Sequence, residues 1–375
     1  MTQPKEHFSS YLNDLSDTPL HAEGDFLSPE YDNPVKEIHL NERPQVHSHA
    51  TFYRQTVTME NGSEYLVVNT KIPEKREQAG SDIVNLETTA WTTQIEGMNM
   101  RRMHALAKLA IPTVFVSVQQ NLGRRGRIDR NAHNELEIAK SFAHQYDYSD
   151  QYIIGNGISR GGMTALDVAA VAPQHAMEAI YTDSIVPCFP YGLDLRRDLP
   201  AYLKFLPNEG STLAAIKEVP FSALRHYPNT LDLSLKGIFQ QLKEIPTLLS
   251  GEVGRQIQDN MSENTFAHVT AYEGDIMSQG NRWKELLDSA KYPNIVVELL
   301  NGGGHMSCVS NGCHNDWLAR ARTISEILHE GTDNRSIGGT ALRALAAERN
   351  QAFVQTHEHD NEIENYRLQK AILHN

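Results

Sequence analysis

The chain has 375 residues, 40% of them hydrophobic, which is enough for a sizeable buried core in one large domain or two smaller ones. Its formal net charge of −13 repels nucleic acid phosphates and anionic lipid headgroups, so we expect neither as a partner. Only three cysteines are present, and no apolar run could form a signal peptide or a membrane span. The composition therefore predicts a cytoplasmic protein without a disulfide framework.

The N-terminal region divides into an irregular part and a hairpin. Residues 1–50 are acidic, rich in Pro and His, and show no sustained period of 2 or 3.6. They are predicted to form an arm that lies over the surface or is partly disordered. Two strand-like segments follow, 51–60 and 63–73, on either side of Asn61-Gly62, the strongest short signal for a hairpin turn.

Beyond the hairpin, the predicted elements alternate between strand and helix. Strands are predicted at residues 81–87, 113–119, 151–157 and 177–186, and helices at 97–110, 131–145 and 160–172. This alternation is typical of a parallel sheet covered by helices on both faces. The predicted fold class is therefore α/β, with a mostly parallel central sheet.

The alternation is interrupted once and then resumes. Residues 187–265 are rich in Pro and aromatic residues, which predicts an inserted, mostly helical cap. The later strands are predicted at 268–275 and 294–302, and the later helices at 281–290, 315–331 and 364–373. The predicted domains are an arm at 1–50, a core at 51–186 and 266–330, a cap at 187–265, and a C-terminal helical extension at 331–375.

Residues 157–161, Gly-Ile-Ser-Arg-Gly, match the pattern G-x-S-x-G. A predicted strand runs into this pattern and a helix rich in Gly and Ala leaves it, which is the context that a nucleophile turn requires. Gly157 and Gly161 would prevent collisions between the crossing strand and helix. The turn would also place the Arg160 backbone N–H and the helix N-terminus beside the Ser159 hydroxyl, where an oxyanion would be stabilised. The alternative is a glycine-rich turn with an incidental serine.

A serine nucleophile needs a base and an orienting carboxylate, in the chain order Ser, acid, His. Asp275 ends a predicted strand, although a helix N-cap is its ordinary alternative role. His305 follows a strand and three glycines, 305 − 275 = 30 residues later, which leaves room for one helix and one strand. Asp183, at the end of the preceding predicted strand, is the rival acid.

Taken together, the order and placement of these motifs over residues 52–330 resemble the α/β-hydrolase superfamily of esterases, lipases and related acyl hydrolases. In that family, a His-Gly pair usually follows the strand at 81–87, whereas this chain has Glu-Thr-Thr-Ala-Trp at 87–91. By position, the resemblance implies that Thr89 supplies the second backbone oxyanion donor. Trp91 in this loop and two aromatics of the cap, Phe189 and Tyr191, are the predicted substrate-binding residues.

A second cluster suggests a different chemistry. His305, Cys308, Cys313 and His314 lie within ten residues and are zinc ligand types. Their spacing lacks the paired C-x2-C of common zinc modules, and a metal there would consume the proposed base. We therefore expect ordinary cysteines near the site, no metal and no organic cofactor.

The predicted function is hydrolysis of a carboxylic ester, or a related acyl bond, through a Ser-His-Asp triad and an acyl-enzyme. The aromatic cap suggests a small-molecule substrate with an apolar acyl or alcohol part. An acyltransferase or peptidase on the same triad and a non-catalytic binding protein of the same fold stay open as alternatives. Homo-oligomerisation is also left open.

Overall fold

Twelve strands of the described residues form one sheet, which the computed structural model places within a single unit spanning residues 32–375. The structure describes residues 33–73, 83–88, 98–117, 121–122, 131–148, 152–185, 265–272, 275, 295–300, 317–321 and 366–370. The strands are β1 (Val35–Leu40), β2 (Gln45–Val46), β3 (Thr51–Met59), β4 (Ser63–Lys71), β5 (Ile83–Thr88), β6 (Thr113–Val116), β7 (Asn121–Leu122), β8 (Tyr152–Ile158), β9 (Glu178–Ile185), β10 (Phe266–Tyr272), β11 (Ile295–Leu300) and β12 (Tyr366–Lys370).

The strand order is β1-β3-β4-β6-β5-β8-β9-β10-β11-β12, with β2 beside β3 and β7 beside β4. The six central strands from β6 to β11 are parallel, whereas β1, β3 and β4 on one side and β12 on the other pair antiparallel with their neighbours. The α/β class and a largely parallel centre are thus confirmed for the described residues. The parallel strands end at a common carboxyl edge, which is where loops in such sheets build binding sites.

The hairpin prediction is confirmed, because β3 and β4 pair antiparallel around the Asn61-Gly62 turn. Gly62 has a φ of 83°, which favours glycine because it lacks a Cβ. The Gly62 N–H donates to the Met59 carbonyl at 2.8 Å, and the Ser63 N–H donates to Asn61 Oδ1 at 2.8 Å. The turn is therefore specified locally by the two residue types that the sequence places there.

The prediction of an irregular arm up to residue 50 is wrong for residues 35–40 and 45–46, which are the strands β1 and β2. A bulge between Val35 and Glu37 in the pairing with β3 breaks the two-residue alternation. Val35 and Ile38, three positions apart, consequently both pack against the core, and no period of 2 is visible in the sequence. Residues 1–32 lie outside the described residues.

The helices near the centre of the chain agree with their predictions. They are α1 (Met98–Lys108), α2 (Asn131–Gln145) and α3 (Arg160–Val171), and residues 317–321 are also helical. A 3₁₀ turn at Ala172–His175, which contains Pro173, follows α3. No helix in the described part of the chain combines the length and apolar character needed to cross a membrane.

The prediction of a helix at residues 364–373 is wrong at its centre, because residues 366–370 form β12, antiparallel to β11. The sequence Tyr-Arg-Leu-Gln-Lys alternates apolar and polar residues, which suits a strand, but five residues are too few to distinguish a strand from a helix by period alone. Residues 366–370 are extended because β11, whose other edge pairs with β10, offers backbone hydrogen-bond partners to a further strand. The predicted cap, residues 187–265, lies outside the described residues except for Thr265.

The sheet is covered differently on its two faces. On one face, α2 and α3 pack on β-strand side chains in the largest apolar cluster, which includes Leu86, Ile153, Leu166 and Val269. On the other face, α1 packs on β3, β4 and β6 through a second cluster that includes Phe52 and Met103. A smaller cluster on this second face joins α1 to the 317–321 helix. The carboxyl edge between these layers holds the candidate site.

Candidate active site

Ser159 occupies the single-residue turn between β8 and α3. Its backbone has φ 56° and ψ −122°, a conformation that L side chains rarely adopt. Such a residue costs on the order of 1–3 kcal/mol and persists only when its surroundings enforce it. The side chain is half-buried, and the first N–H groups of α3 adjoin it with the positive end of the helix dipole.

The neighbours of Ser159 show why this turn forms. A Cβ on Gly157 would overlap the backbone carbonyl of Gly161 and approach Thr88 Oγ1 to 2.5 Å. Only glycine therefore allows β8 and the first turn of α3 to come this close. Farther along, a Cβ on Gly155 would already lie 3.3 Å from the Ala165 carbonyl oxygen. The small residues of this segment thus allow close packing of helix on strand.

Thr88, the last residue of β5, ties the neighbouring strand to this turn. Its hydroxyl donates to the Gly161 carbonyl and lies 3.2 Å from the Asn156 carbonyl oxygen. Thr88 is level with Gly157 in the parallel pairing of β5 and β8. The chain beyond β5 consequently leaves the sheet beside the Ser159 turn. Thr88 was not among the predicted site residues, although its position directly before the predicted oxyanion donor Thr89 was an available signal.

Asp275 lies just beyond β10, at the same edge of the sheet as Ser159. Its backbone N–H donates to the Tyr272 carbonyl at 2.9 Å, which closes a tight turn after the strand, and the residue is buried. The strands β8 and β10 are separated only by β9. With about 4.8 Å between neighbouring strands, the two strand ends are roughly 10 Å apart.

Asp183, the rival acid, lies inside β9 and has a different environment. Arg320 donates to its carboxylate through Nε, at 2.7 Å from Oδ2, and through Nη2, at 3.4 Å from Oδ1. The Tyr181 hydroxyl also donates to Oδ2 at 3.3 Å, and His268 Nδ1 lies 3.7 Å from Oδ1. Burial raises the pKa of Asp183, but Arg320 and His268 outweigh burial and hold that pKa well below its usual range.

A second buried ion pair lies two strands away. Arg102 of α1 places Nη1 3.0 Å from Glu87 Oε1, and both side chains are almost fully buried. Burial raises the pKa of Glu87 to about 7, and Asp183 contributes in the same direction, while Arg102 and Asn85 oppose the shift. The Arg102 guanidinium lies 3.8 Å from the centre of the Trp317 ring. Sequence analysis missed this arrangement, although a charged residue within an apolar strand was a visible signal.

Several predicted site residues lie outside the described part of the chain. His305, Thr89, Trp91, Phe189 and Tyr191 lie outside the described residues, as do the cysteines and histidine of the alternative zinc cluster, Cys308, Cys313 and His314. Within the described ranges, no three His, Cys, Asp or Glu side chains are placed to hold a metal ion. Of the predicted catalytic set, the structure therefore describes Ser159, Arg160 and Asp275, all near the carboxyl edge of the sheet.

No protein-family model matches the chain, and no curated protein matches it. Among solved structures, it is similar to the Pyrococcus furiosus esterase Pf2001, with 12% identity, a TM-score of 0.47, and 76% of this chain and 96% of that chain covered. It is also similar to acetyl xylan esterase 1 from Thermoanaerobacterium sp. JW/SL YS485, with 14% identity, a TM-score of 0.43, and coverage of 80% and 88%. The esterase of the archaeon Pyrobaculum calidifontis shows 15% identity, a TM-score of 0.47, and coverage of 77% and 87%. Similarity this low assigns no function, which has to be inferred from the chain's own geometry.

Proposed function

We propose that this protein is a serine hydrolase with an α/β-hydrolase fold, which cleaves a carboxylic ester or a related acyl bond and uses Ser159 as its nucleophile. The observation that carries the proposal is the backbone of Ser159, a non-glycine residue with φ 56° and ψ −122° between a parallel strand and a helix. A strained residue of this kind indicates function when its surroundings enforce it, and here Gly157, Gly161 and Thr88 do so.

The proposed chemistry follows from what a serine hydroxyl requires. His305 takes the proton of Ser159 Oγ as Oγ attacks the acyl carbonyl carbon, and a tetrahedral oxyanion forms. As this intermediate collapses, the bond to the leaving alcohol breaks and His305 returns the proton to the alcohol oxygen. A water molecule then attacks the acyl-enzyme through the same base, which releases the acid and free Ser159.

The oxyanion would be bound by two backbone N–H groups. The Arg160 N–H begins α3, where the N–H groups of the first turn lack intrahelical partners. Thr89 is assigned to the second donor because it follows Thr88, which is level with Gly157 in the sheet. Trp91, Phe189 and Tyr191 are proposed to contact the apolar part of the substrate.

For the acid, the surroundings of the two candidates favour Asp275. Both carboxylate oxygens of Asp183 accept hydrogen bonds from Arg320, and Asp183 lies within β9 rather than beyond it. Asp275 follows the end of β10 at the same edge as Ser159. We therefore assign Asp275 to orient the His305 ring and stabilise its protonated form.

A fluorophosphonate probe tests the proposal, because such probes phosphonylate only activated serines. We expect wild-type protein to be labelled at Ser159, as mapped by mass spectrometry, and Ser159→Ala to lose both labelling and turnover of a chromogenic ester. Removing the nucleophile of a serine protease lowers kcat by about a millionfold, which sets the expected scale.

Ser184→Ala is the matched control. Ser184 is level with Gly157 on the adjacent strand β9, and its buried hydroxyl has no hydrogen-bond partner among the described residues. This variant should keep labelling and turnover. Esterase activity retained in Ser159→Ala, with an unchanged circular dichroism spectrum, would refute the proposal.

A further inference from the structure

Four polar side chains form a continuous row across the central parallel strands. Glu87 is level with Asn156, Asn156 with Asp183, and Asp183 with His268, in the pairings β5–β8, β8–β9 and β9–β10. All four are buried. Parallel strands covered on both faces are normally near-continuous apolar runs, so this polar row is an exception that needs a physical reason.

Two arginines from the covering helices bind the two carboxylates of the polar row. Arg102 of α1 pairs with Glu87, and Arg320 of the 317–321 helix pairs with Asp183. The two arginine side chains are 2–3% exposed and the two carboxylate side chains 1%, which means that both pairs are isolated from solvent. Each arginine thus attaches one covering helix to one strand through directional contacts.

Trp317 connects these pairs to the proposed site. Its ring packs under the Arg102 guanidinium, and Arg320 lies three residues later on the same helix. The ring also belongs to the apolar cluster that contains Ile158 and Tyr272. Ile158 directly precedes Ser159, and the Tyr272 carbonyl accepts the hydrogen bond that closes the Asp275 turn. Through this cluster, the 317–321 helix therefore packs against the residues that adjoin both turns.

Stability alone does not account for this arrangement. Replacing a buried ion pair by apolar residues of similar size is often neutral or stabilising. In the Glu87–Arg102 pair, Oε2 of Glu87 and both Nε and Nη2 of Arg102 are buried without a hydrogen-bond partner in the described part of the chain, which is costly. What such pairs supply, and apolar contacts do not, is a fixed direction between the partners.

We propose that Glu87, Arg102, Asp183, Arg320 and Trp317 are positioning residues of the proposed hydrolase. They hold α1 and the 317–321 helix at fixed places on the sheet and thereby keep the Ser159 and Asp275 turns at the separation that proton transfer requires. The inference rests on the proposed function. A misplacement of about 1 Å in such a site can cost on the order of a hundredfold in rate.

The double variant Glu87→Leu/Arg102→Met separates positioning from stability. It replaces the ion pair by apolar residues of similar size, and the methionine sulfur can still contact the Trp317 ring. We expect a melting temperature equal to or above that of wild type. The rate of Ser159 labelling by the fluorophosphonate, and kcat for a chromogenic ester, should fall about tenfold to hundredfold, with a smaller change in KM.

Two further variants complete the test. Arg320→Lys keeps the charge beside Asp183 but loses the planar two-point contact, so labelling should again slow at least tenfold. The double variant Glu42→Gln/Arg54→Gln is the matched control, because it also removes an ion pair, with Arg54 Nε 3.0 Å from Glu42 Oε1. Arg54 lies on β3, next to the edge strand β1 and away from the strands that carry the polar row. This control should label at the wild-type rate.

The outcomes distinguish the two proposals. If wild-type protein is not labelled at Ser159, the proposed function fails and the positioning role fails with it. If wild type is labelled and the folded Glu87→Leu/Arg102→Met protein is labelled equally fast, only the positioning role is overturned. Should that double variant not fold, Arg320→Lys decides the question, and an unchanged labelling rate in this variant overturns the inference.

Discussion

The two faces of the central sheet are built from the same strands but differ in chemistry. On the face covered by α2 and α3, the strands present apolar side chains such as Leu86 and Val269. On the opposite face, the adjacent positions Glu87 and His268 belong to the polar row under α1 and the 317–321 helix. Alternate residues of a strand point to opposite faces, so the same strand contributes apolar side chains to one face and polar side chains to the other.

This difference assigns two roles to the two faces. The apolar face supplies stability, and the polar row fixes the position of the covering helices. Fully burying a Leu or Val side chain contributes about 1.5–3 kcal/mol, whereas a buried ion pair contributes little net stability but is directional. The apolar face can therefore account for much of the folding free energy. In β8, Asn156 of the polar row lies 159 − 156 = 3 residues before Ser159, close to the carboxyl edge at which the placement of catalytic groups matters most.

The largest effect is expected from the two acids. Asp275→Asn should lower kcat by about ten-thousandfold with little change in KM, because the base would lose its orienting carboxylate. Asp183→Asn should lower kcat much less but reduce the melting temperature, because Arg320 would stay buried without a charged partner. Steady-state kinetics and thermal melts on both variants check this. The opposite ranking in kcat would move the acid to β9 and give the polar row a catalytic member.

Breaking one ion pair on the polar face should destabilise the protein strongly. Arg320→Met leaves the Asp183 carboxylate buried and without its main partner, which is expected to cost about 3–5 kcal/mol in the free energy of unfolding. Urea denaturation measures this cost. A loss below about 1 kcal/mol would mean that the pair is not desolvated as the structure indicates.

On the apolar face, Leu86→Ala should cost about 2–5 kcal/mol, because a fully buried side chain is truncated and a cavity remains. Leu86 and Glu87 are consecutive, so this variant is the direct counterpart of Glu87→Leu/Arg102→Met. We expect Leu86→Ala to melt earlier while the folded protein is labelled at nearly the wild-type rate. Slow labelling in this variant, as in the polar variants, would remove the contrast between the faces.

The smallest effect concerns pH. Glu87 has a pKa of about 7 in the fold, with burial as the main cause, against an ordinary value of 4.5. Between pH 4.5 and pH 7, the folded state therefore keeps a proton on Glu87 that the unfolded state has released. Glu87 stabilises the fold most at low pH, and this contribution is lost as the pH rises through 7. The stability of Glu87→Leu/Arg102→Met relative to wild type should consequently increase between pH 5 and pH 8, as measured by urea denaturation at each pH. A constant difference would mean that Glu87 does not titrate in this range.

Local sequence signals determined the parts of this protein that depend on near neighbours. The Asn61-Gly62 turn, the helices at 98–108 and 131–145, and the alternation of strands and helices follow from residue type and short-range period, and the structure agrees with them. The strand-to-helix turn at Ser159 was predictable for the same reason, because a glycine at position 157 is what its close packing against Gly161 needs. The roles assigned to Ser159, Asp275, His305 and Thr89 stay predictions.

Tertiary structure alone decided the rest, because it depends on partners far away in the chain. Val35–Leu40 and Tyr366–Lys370 are strands because β3 and β11 offer them backbone hydrogen bonds, which outweigh weak local preference. The polar row could not be predicted, since it brings residues 87, 156, 183 and 268 to one level through strand register. A sequence shows that a strand carries an aspartate. Only the packed helices show that Arg320 Nε lies 2.7 Å from Asp183 Oδ2 and lowers the pKa of that carboxyl group.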